Sequence, residues 1–542
     1  MKVLIIGIDG GTWDVLDDFV LSNYMPNMKK LRETGVSGVL ASTVPAITPA
    51  AWTSATSGCS PHVHGLMDFR YYSFADNILR LARSDRVKVP SMWYYLSQAG
   101  YKTASLNVPF TFPVYPINGV MVSGLGCPGT SAEFTYPGDF KDKILAQMPD
   151  YGLGLGPEEI DKRGGGLGRN KEEFLGTLKA IERRMAQRVE LVELVEGHEP
   201  MDVLMVQFQE VDLIEHLGWP YVSAQTRDNY PWHRDRLFET FARLDEHIGK
   251  LVKLVDLQKD LLVMLSDHGF GPMDYKIHPN KLLCDWGFIK RSGVLDRAVR
   301  RTRRNLMNLK KVKLPEMPID LKHPVDWSRT RAMMLLRPLY GSVFANLRGR
   351  QPGGCVEAGA EFEDLLAELK EKFEALVNPE NGEKVFKQVI TPRELWAEYD
   401  PSIDIYGDLL LIQKDNYRVS ASLKRDINTI EAAPADSLTS SWHWPNGIYV
   451  LNGAGIKPNF VTDARIIDIA PSIYTWLDMF VPAEVNGSAI MEAFEDSPNV
   501  RKNSRIKFPD SFVRKTDMDS GAETPEEQEL LAQQLKALGY LD

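Results

Sequence analysis

Acidic and imidazole side chains that can bind a metal occur at four widely separated places in the chain. Carboxylate oxygen and imidazole nitrogen together suit zinc, manganese or iron better than magnesium or calcium, which prefer shells made only of oxygen. Six such ligands are enough for two metal ions. The candidate ligands are Asp9, Asp212, His216, Asp267, His268 and His443.

Local spacing supports two of these pairs and leaves an alternative open for each. Asp212 and His216 share one face if their segment is helical; the alternative is a helix N-cap beside an ordinary surface histidine. Asp267 and His268 would point to opposite faces of a continuing strand, so both reach one site only if the chain bends there. The alternative for this second pair is a polar strand end, although Gly269 favours a bend.

A hydroxyl that could act as a nucleophile occurs at Thr48. It directly precedes Pro49, which suits the first position of a helix, so the hydroxyl is expected at a helix N-terminus, where backbone N–H groups favour an anion. A threonine oxygen held by a metal at such a place suits attack on phosphate. On local sequence alone, an ordinary N-cap threonine is the favoured interpretation.

These residues follow short apolar runs that read as strands buried on both faces. The runs are Val3 to Ile8, Val203 to Phe208 and Leu261 to Leu265, each followed at once by polar residues. Helix-like segments separate them, which predicts an α/β fold with a largely parallel central sheet. Functional groups gather beyond the carboxyl ends of such strands, so these polar positions are the expected site.

Composition excludes several classes of protein. The 542 residues carry 63 Lys and Arg against 73 Asp and Glu, a formal charge of −10, which argues against a dedicated nucleic-acid binder. Four scattered cysteines without a C-x-x-C pair indicate a reducing compartment. The N-terminal apolar run is too short for a secretory signal, and no stretch approaches the ~18 apolar residues of a membrane span. We therefore expect a cytoplasmic protein.

The pattern divides the chain into four parts. Residues 1–290 form the first part of a catalytic core, 291–395 a cap or insertion, 396–496 the second part of the core, and 497–542 a linker and C-terminal helix. The cap contains a basic run at residues 297–313. A solvated cap helix is the favoured interpretation of this run, and contact with anionic lipid or a polyanionic substrate is the alternative.

Taken in order, these residues resemble the alkaline phosphatase superfamily, specifically its nucleotide pyrophosphatase/phosphodiesterase-like branch. Within that branch the chain is similar to the bacterial and archaeal proteins called predicted phosphohydrolase/phosphomutase, and the resemblance runs over essentially the whole chain. The segments that carry it are IGIDGGTWD, ITPAAWTSATSG, NVPFTFP, SDHGFGP, HWPNGIYVLNGAGI, DIAPSIY and LKALGYLD.

The resemblance implies an alkaline-phosphatase-like core with an inserted cap, and it assigns the residues of the site. Thr48 becomes the nucleophile and also bridges toward one of two divalent metal ions, with zinc expected and manganese as the alternative. The implied ligands are Asp212, His216 and His443 for one ion and Asp9, Asp267 and His268 for the other.

The sequence also departs from the pattern of the branch. Its phosphodiesterases hold a phosphoryl oxygen with an Asn soon after a His-Gly pair, but His64-Gly65 is followed by Leu66. Asn107 or the backbone N–H groups near Thr48 would have to serve instead. We interpret His64 as structural. A sulfatase is disfavoured, because the C-S-P-H-V sequence at residues 59–63 lacks the required arginine and comes after the nucleophile position.

The sequence therefore predicts a two-metal hydrolase of phosphodiester or pyrophosphate bonds that uses a phospho-threonine intermediate. A small phosphate ester or nucleotide-like molecule is the expected substrate. Alternatives are a phosphomonoesterase or phosphomutase of the same superfamily, or a non-catalytic metal-binding module.

Overall fold

The structure is a computed structural model that describes most of the chain. The described residues are 1–74, 77–154, 170–293, 325–336, 340–399, 406–423, 427–433, 440–496, 502–503, 529–533 and 535.

Strands are distributed along the whole described chain. In chain order they are β1 (Val3–Ile8), β2 (Val36–Ala41), β3 (Arg70–Ser73), β4 (Ile78–Leu81), β5 (Thr103–Val108), β6 (Gly119–Ser123), β7 (Thr135–Tyr136), β8 (Val203–Phe208), β9 (Leu261–Leu265), β10 (Gly269–Pro272), β11 (Tyr275–Ile277), β12 (Ala332–Leu336), β13 (Gly341–Ala345), β14 (Phe386–Ile390), β15 (Leu409–Gln413), β16 (Tyr417–Val419), β17 (Ile430–Ala432), β18 (Ser441–Trp444), β19 (Asn446–Gly453), β20 (Phe460–Val461), β21 (Ala464–Arg465), β22 (Val481–Pro482) and β23 (Lys502–Asn503).

Helices alternate with the strands in the first half of the chain. In chain order they are α1 (Asp18–Asn23), α2 (Pro26–Thr34), α3 (Thr48–Ser57), α4 (Pro61–His64), α5 (Met92–Gln98), α6 (Phe140–Gln147), α7 (Lys171–His198), α8 (Glu210–Val222), α9 (Pro231–Val252), α10 (Pro279–Asp285), α11 (Ala360–Glu374), α12 (Pro392–Leu395) and α13 (Ile469–Trp476). None of the helices in the described ranges combines the length and apolarity that crossing a bilayer requires.

The central sheet confirms the predicted largely parallel α/β architecture. Its strand order is β20-β2-β19-β9-β1-β8-β5-β6-β7, and β21 also pairs with β2. The three predicted apolar runs are β9, β1 and β8, which lie side by side and parallel at the centre. The strand β19 runs antiparallel between β9 and β2.

Continuous apolarity explains why these three strands occupy the middle of the sheet. Every residue of β1, β8 and β9 is buried, so both faces of the sheet are covered by helices or loops. Burying apolar surface contributes about 25 cal/mol per Å², so a strand that is apolar on both faces gains most in this position. The carboxyl ends of the three strands therefore meet at one edge.

The chain divides into two compact units. One comprises Met1–Leu66, Arg83–Pro272 and Asp436–Asp542, and the other comprises Met67–Ala82 and Met273–Ala435. The second unit contains the antiparallel sheet β12-β13-β15-β14. It begins before and ends after the insertion expected at 291–395, because α10, β15 and β16 contribute side chains to its apolar core.

Several sequence expectations fall on other parts of the chain. The basic run at 297–313 lies outside the described residues. The linker and C-terminal helix expected over 497–542 also lie largely outside them; the described residues 529–533 and 535 are helical.

Candidate metal centre

Three of the candidate ligands lie at the carboxyl edge of the central sheet. Asp9 directly follows β1, and Asp267 and His268 lie in the short loop that joins β9 to β10. The chain turns within this loop, so both side chains reach one site. All three residues have no exposed surface.

The other three ligands come from a helix and from a distant hairpin. The helix α8 follows β8 and carries Asp212 and His216 one turn apart, which brings both side chains to the same face. His443 lies on β18, which pairs antiparallel with β10 so that His443 is opposite Phe270. This pairing bridges a long sequence separation and completes the set.

One group of ligand atoms surrounds Asp212. Its Oδ1 lies 3.3 Å from His443 Nε2 and 3.4 Å from His216 Nε2. The two imidazole Nε2 atoms are 2.9 Å apart. Three ligand atoms this close to one another can converge on a single cation.

A second group surrounds His268. Its Nε2 lies 3.2 Å from Asp267 Oδ2 and 3.7 Å from Asp9 Oδ1. These two carboxylate oxygens are buried, and neither accepts a hydrogen bond from any residue that the structure describes. Buried polar atoms normally have a hydrogen-bond partner. Orphaned carboxylate oxygens beside an imidazole nitrogen therefore fit a divalent transition metal.

The two groups of ligand atoms are in contact with each other. The imidazoles of His268 and His443 stack with their ring centroids 3.6 Å apart, and the ligand atoms of Asp212, His268 and His443 all lie within 4.8 Å of one another. The structure thus brings all six predicted ligands into one cluster, in which His268 lies between the two groups.

Burial and mutual repulsion dominate the electrostatics of the cluster. Burial, followed by the charges of Asp267 and Asp212, raises the pKa of Asp9 well above its usual range. Burial and the charge of Asp212 likewise raise the pKa of Asp267. Burial and the nearby His443 hold the pKa of His268 well below its usual value. A bound cation would favour the ionised carboxylates and the neutral imidazole that metal ligation requires.

Hydrogen bonds orient the ligands toward the cluster. Trp52 Nε1 and Gln207 Nε2 both donate to Asp9 Oδ2, at 2.9 and 2.7 Å, which leaves Oδ1 for the site. The Nδ1 of His268 lies 3.1 Å from the carbonyl oxygen of Gly269. Because a carbonyl only accepts, this contact requires the proton on Nδ1 and leaves the Nε2 lone pair available.

Sequence reasoning missed the two residues that hold Asp9. Gln207 is the polar residue inside the otherwise apolar β8, and such an interruption of a buried strand was a usable signal. Trp52 lies within the segment around Thr48, but its contact with Asp9 depends on how α3 packs against β1, which the sequence does not encode locally.

Thr48 lies at the start of α3, at the margin of the cluster. The helix begins at Thr48 itself, and the extended Ile47 is the N-cap, so Thr48 is not an ordinary capping residue. Its hydroxyl is fully buried and lies 3.4 Å from His268 Nε2. The Ala51 N–H donates to the Ile47 carbonyl, which places the amides of Thr48 and Ala50 in the first turn, before the intrahelical ladder.

Two other polar residues considered from the sequence lie outside the cluster. His64 Nδ1 accepts from the Leu66 N–H, and its Nε2 lies 2.9 Å from Ser54 Oγ. Asn107 hydrogen-bonds with the hydroxyl of Tyr151 through both its amide nitrogen and its oxygen. The Asn107 side chain is therefore engaged within the protein rather than presented to a phosphate.

One protein-family model matches most of the chain. The model of the family described as type I phosphodiesterase/nucleotide pyrophosphatase matches residues 3–436. This span includes Thr48 and five of the ligands and ends before His443, whose position beside Asp212 comes from the structure. No curated protein sequence is similar enough to count as a relative.

Solved structures show the same fold. The alkaline phosphatase PafA superposes with a TM-score of 0.56 at 16% identity, over 91% of this chain and 98% of that one. A phosphonoacetate hydrolase from Sinorhizobium meliloti 1021, solved with phosphonoacetate, superposes with a TM-score of 0.52 at 14% identity, over 87% and 94% of the two chains. Because the family model matches most of its length, the chain belongs to the type I phosphodiesterase/nucleotide pyrophosphatase family.

Proposed function

We propose that the protein hydrolyses phosphodiester or pyrophosphate bonds of small molecules with two divalent metal ions, through a phospho-threonine intermediate on Thr48. The observation that carries this proposal is the position of the Thr48 hydroxyl. It lies at a helix start, 3.4 Å from His268 Nε2, and that nitrogen faces two carboxylate oxygens that have no hydrogen-bond partner among the described residues. An N-cap or a core threonine has no need of such neighbours.

The ligand assignment follows the two groups of atoms. Asp212, His216 and His443 would hold one ion; Asp9, Asp267 and His268 would hold the other, with Thr48 bridging toward it. The mixed oxygen and nitrogen donors favour zinc, with manganese as the alternative. When bound, two such ions supply Lewis acidity that lowers the pKa of a coordinated hydroxyl and neutralises charge on the phosphoryl oxygens.

The side chains and backbone around Thr48 then have defined tasks. Its hydroxyl loses its proton to solvent and attacks phosphorus in line; the Thr48 Oγ1–P bond forms as the bond from phosphorus to the leaving-group oxygen breaks and the leaving group departs. The first-turn amides of α3, at Thr48 and Ala50, would donate to a phosphoryl oxygen. Trp52, on the same helix, holds Asp9 and therefore couples the position of the nucleophile to that of a ligand. Water completes the reaction by hydrolysing the phosphoester.

The surroundings of the nucleophile favour esters with a single negative charge. Recognition of a dianionic monoester generally uses an arginine fork, and residues 45–54 contain neither arginine nor lysine. No asparagine follows His64-Gly65 to clamp a phosphoryl oxygen, and Asn107 is engaged by Tyr151. We therefore expect diester or pyrophosphate cleavage to exceed monoester cleavage.

Two alternatives remain open to experiment. A phosphomonoesterase or phosphomutase would use the same Thr48, and a mutase would in addition have to retain its dephosphorylated substrate. A non-catalytic metal-binding module would not need the nucleophile. The presence of Thr48 together with all six ligands in one buried cluster favours an enzyme.

A substrate screen with the metal-reconstituted protein tests the proposal. The panel should contain p-nitrophenyl phosphate and bis-p-nitrophenyl phosphate, which share a leaving group, together with nucleotides, dinucleoside pyrophosphates and phosphonates. We expect the highest kcat/KM on a diester or a pyrophosphate. A monoester kcat/KM above that of every diester and pyrophosphate would reverse the ranking. Acid quenching during turnover should trap the phosphoryl group on Thr48, as phosphothreonine from a monoester and as a phosphodiester that keeps one substrate group from a diester. Metal-loaded Thr48→Ala protein is the control.

A further inference from the structure

Glu215 is a buried carboxylate that the mechanism above does not use. It lies on α8 three residues after Asp212 and directly before His216, so it shares the helix face that carries both ligands. Glu215 has no exposed surface. Neither of its carboxylate oxygens has a hydrogen-bond partner among the residues that the structure describes.

The Glu215 carboxylate lies against the chain turn that follows Asp9. A Cβ atom added to Gly10 would lie 2.9 Å from Glu215 Oε2 and 3.0 Å from Asp212 Cβ. Gly10 also donates its backbone N–H to Asp267 Oδ1. The Glu215 side chain is therefore packed against Gly10, the residue after Asp9, where Asp212 also packs.

The charged groups with the largest effect on Glu215 are acidic. Besides burial, the charges of Asp212, Asp267 and Asp14 raise its pKa. Within the described ranges, no lysine, arginine or histidine forms an ion pair with it. An ionised buried carboxylate without a counter-ion is costly, so ionised Glu215 requires a cation that none of the described residues supplies.

Glu210 on the same helix shows the contrasting arrangement. It is also buried, but its Oε1 lies 3.5 Å from the buried guanidinium of Arg188. The chain thus supplies a counter-ion to one buried glutamate of α8 and none to the other.

We propose that Glu215 is a fourth carboxylate of the metal centre, which balances the charge of two divalent ions without being one of their six ligands. The inference rests on the metal centre of the proposed function. Two divalent ions carry four positive charges, whereas Asp9, Asp212 and Asp267 supply three negative ones and ligating histidines are neutral. The ionised Glu215 brings the buried assembly to neutrality. It is a positioning residue that raises metal affinity, and it need not touch substrate.

Metal affinity in Glu215→Gln tests this inference directly. The substitution keeps the size of the side chain and removes its charge. Zinc dissociation constants, measured by competition with a chromophoric chelator, should weaken about 10- to 100-fold for at least one of the two ions. The metal-free variant should unfold at the same temperature as the metal-free parent or at a higher one, because an uncompensated buried charge has been removed.

Glu210→Gln is the matched control, because it makes the same change on the same helix beside Arg188. Its zinc affinity should stay within twofold of the parent. Unchanged zinc affinity in Glu215→Gln, or an equal loss in Glu210→Gln, would overturn the inference. If Glu215→Gln does not fold, Glu215→Met supplies the same comparison with a side chain of similar volume. A parent protein that binds no zinc would instead refute the metal centre itself, and the inference with it.

Discussion

Helix α3 contributes to two buried pairs of a hydroxyl and an imidazole, and the two pairs have opposite surroundings. At its N-terminus the Thr48 hydroxyl lies 3.4 Å from His268 Nε2, and six residues later Ser54 Oγ lies 2.9 Å from His64 Nε2. Each of the four residues has no exposed surface. Residue type and burial therefore do not distinguish the pairs.

The partners of each imidazole distinguish them. The Leu66 N–H donates to His64 Nδ1, so the protein satisfies both nitrogens of that ring, and burial lowers its pKa to about 3. His268 instead faces Asp267 Oδ2 and Asp9 Oδ1, two oxygens that accept no hydrogen bond within the described chain. An imidazole whose two nitrogens both have protein partners has a structural role. An imidazole that faces carboxylate oxygens without donors can bind a cation together with them.

Replacement of the Thr48 hydroxyl should have the largest effect on the comparison between the two pairs. Thr48→Ala removes the nucleophile but leaves the six ligands, so folding and most metal binding should persist while kcat/KM falls at least about 10³-fold. Thr48→Ser keeps a hydroxyl and should retain measurable turnover. Steady-state kinetics on the best ester of the screen provides the measurement. Near-normal turnover in a metal-replete Thr48→Ala protein would eliminate the covalent mechanism.

Replacement of a metal ligand beside His268 should lower the metal content, whereas replacement of His64 should leave it unchanged. We expect close to two transition-metal ions per chain in the parent and about one in Asp267→Ala, because the group around His268 loses an oxygen donor. Elemental analysis after dialysis measures both. His64→Gln is the control and should keep the parent content. Full occupancy in a chain lacking both Asp267 and His268 would refute the assignment.

The Ser54–His64 pair should determine part of the loss of folding stability at acid pH. Between pH 6.5 and about 3 the unfolded chain is protonated at His64 and the folded chain is not, so stability falls as the pH is lowered. One such group contributes about 1.4 kcal/mol per pH unit. In metal-free protein, urea unfolding between pH 6 and 4 should give a shallower pH dependence for His64→Gln. Parallel dependences in the two proteins would contradict this assignment.

The smallest effect is expected at the second hydroxyl. Ser54→Ala removes a partner of His64 and should cost about 1–3 kcal/mol of unfolding free energy, the usual penalty for an unsatisfied buried group. Turnover should remain close to that of the parent, because Ser54 touches none of the ligands in the structure. Denaturant unfolding and kinetics on the same preparation give both values. A loss of turnover comparable to that of Thr48→Ala would show that both pairs take part in turnover and would contradict the structural role of Ser54 and His64.

Local sequence patterns were sufficient to predict the central strands and the residues that follow them. Continuous apolarity marked β1, β8 and β9, and polar residues at their ends marked Asp9 and Asp267. The helical spacing of Asp212 and His216 was equally local. Identification of His443 needed the family resemblance, because only the pairing of β10 with β18 brings it to the site. Long-range strand pairing depends on tertiary packing rather than on neighbouring residues.

The extent of the second unit was hidden for the same reason. Residues 67–82 join it across a long separation in sequence, although their place between predicted core segments had assigned them to the catalytic core. The orientation of Asp9 by Trp52 and Gln207 also depends on packing between α3 and the sheet. Both features arise from contacts between distant segments.

The position of β19 has a consequence for biosynthesis. This strand fills the gap between β9 and β2, although it is made some 180 residues after β9. Until residues 446–453 leave the ribosome, the nascent chain has an unpaired edge on β9, and such edges are prone to pair with other chains. His443 precedes β19 by three residues, so the last ligand and the strand that closes the sheet emerge together. On the proposed function, the complete cluster can therefore bind its metal ions only in the final stage of folding.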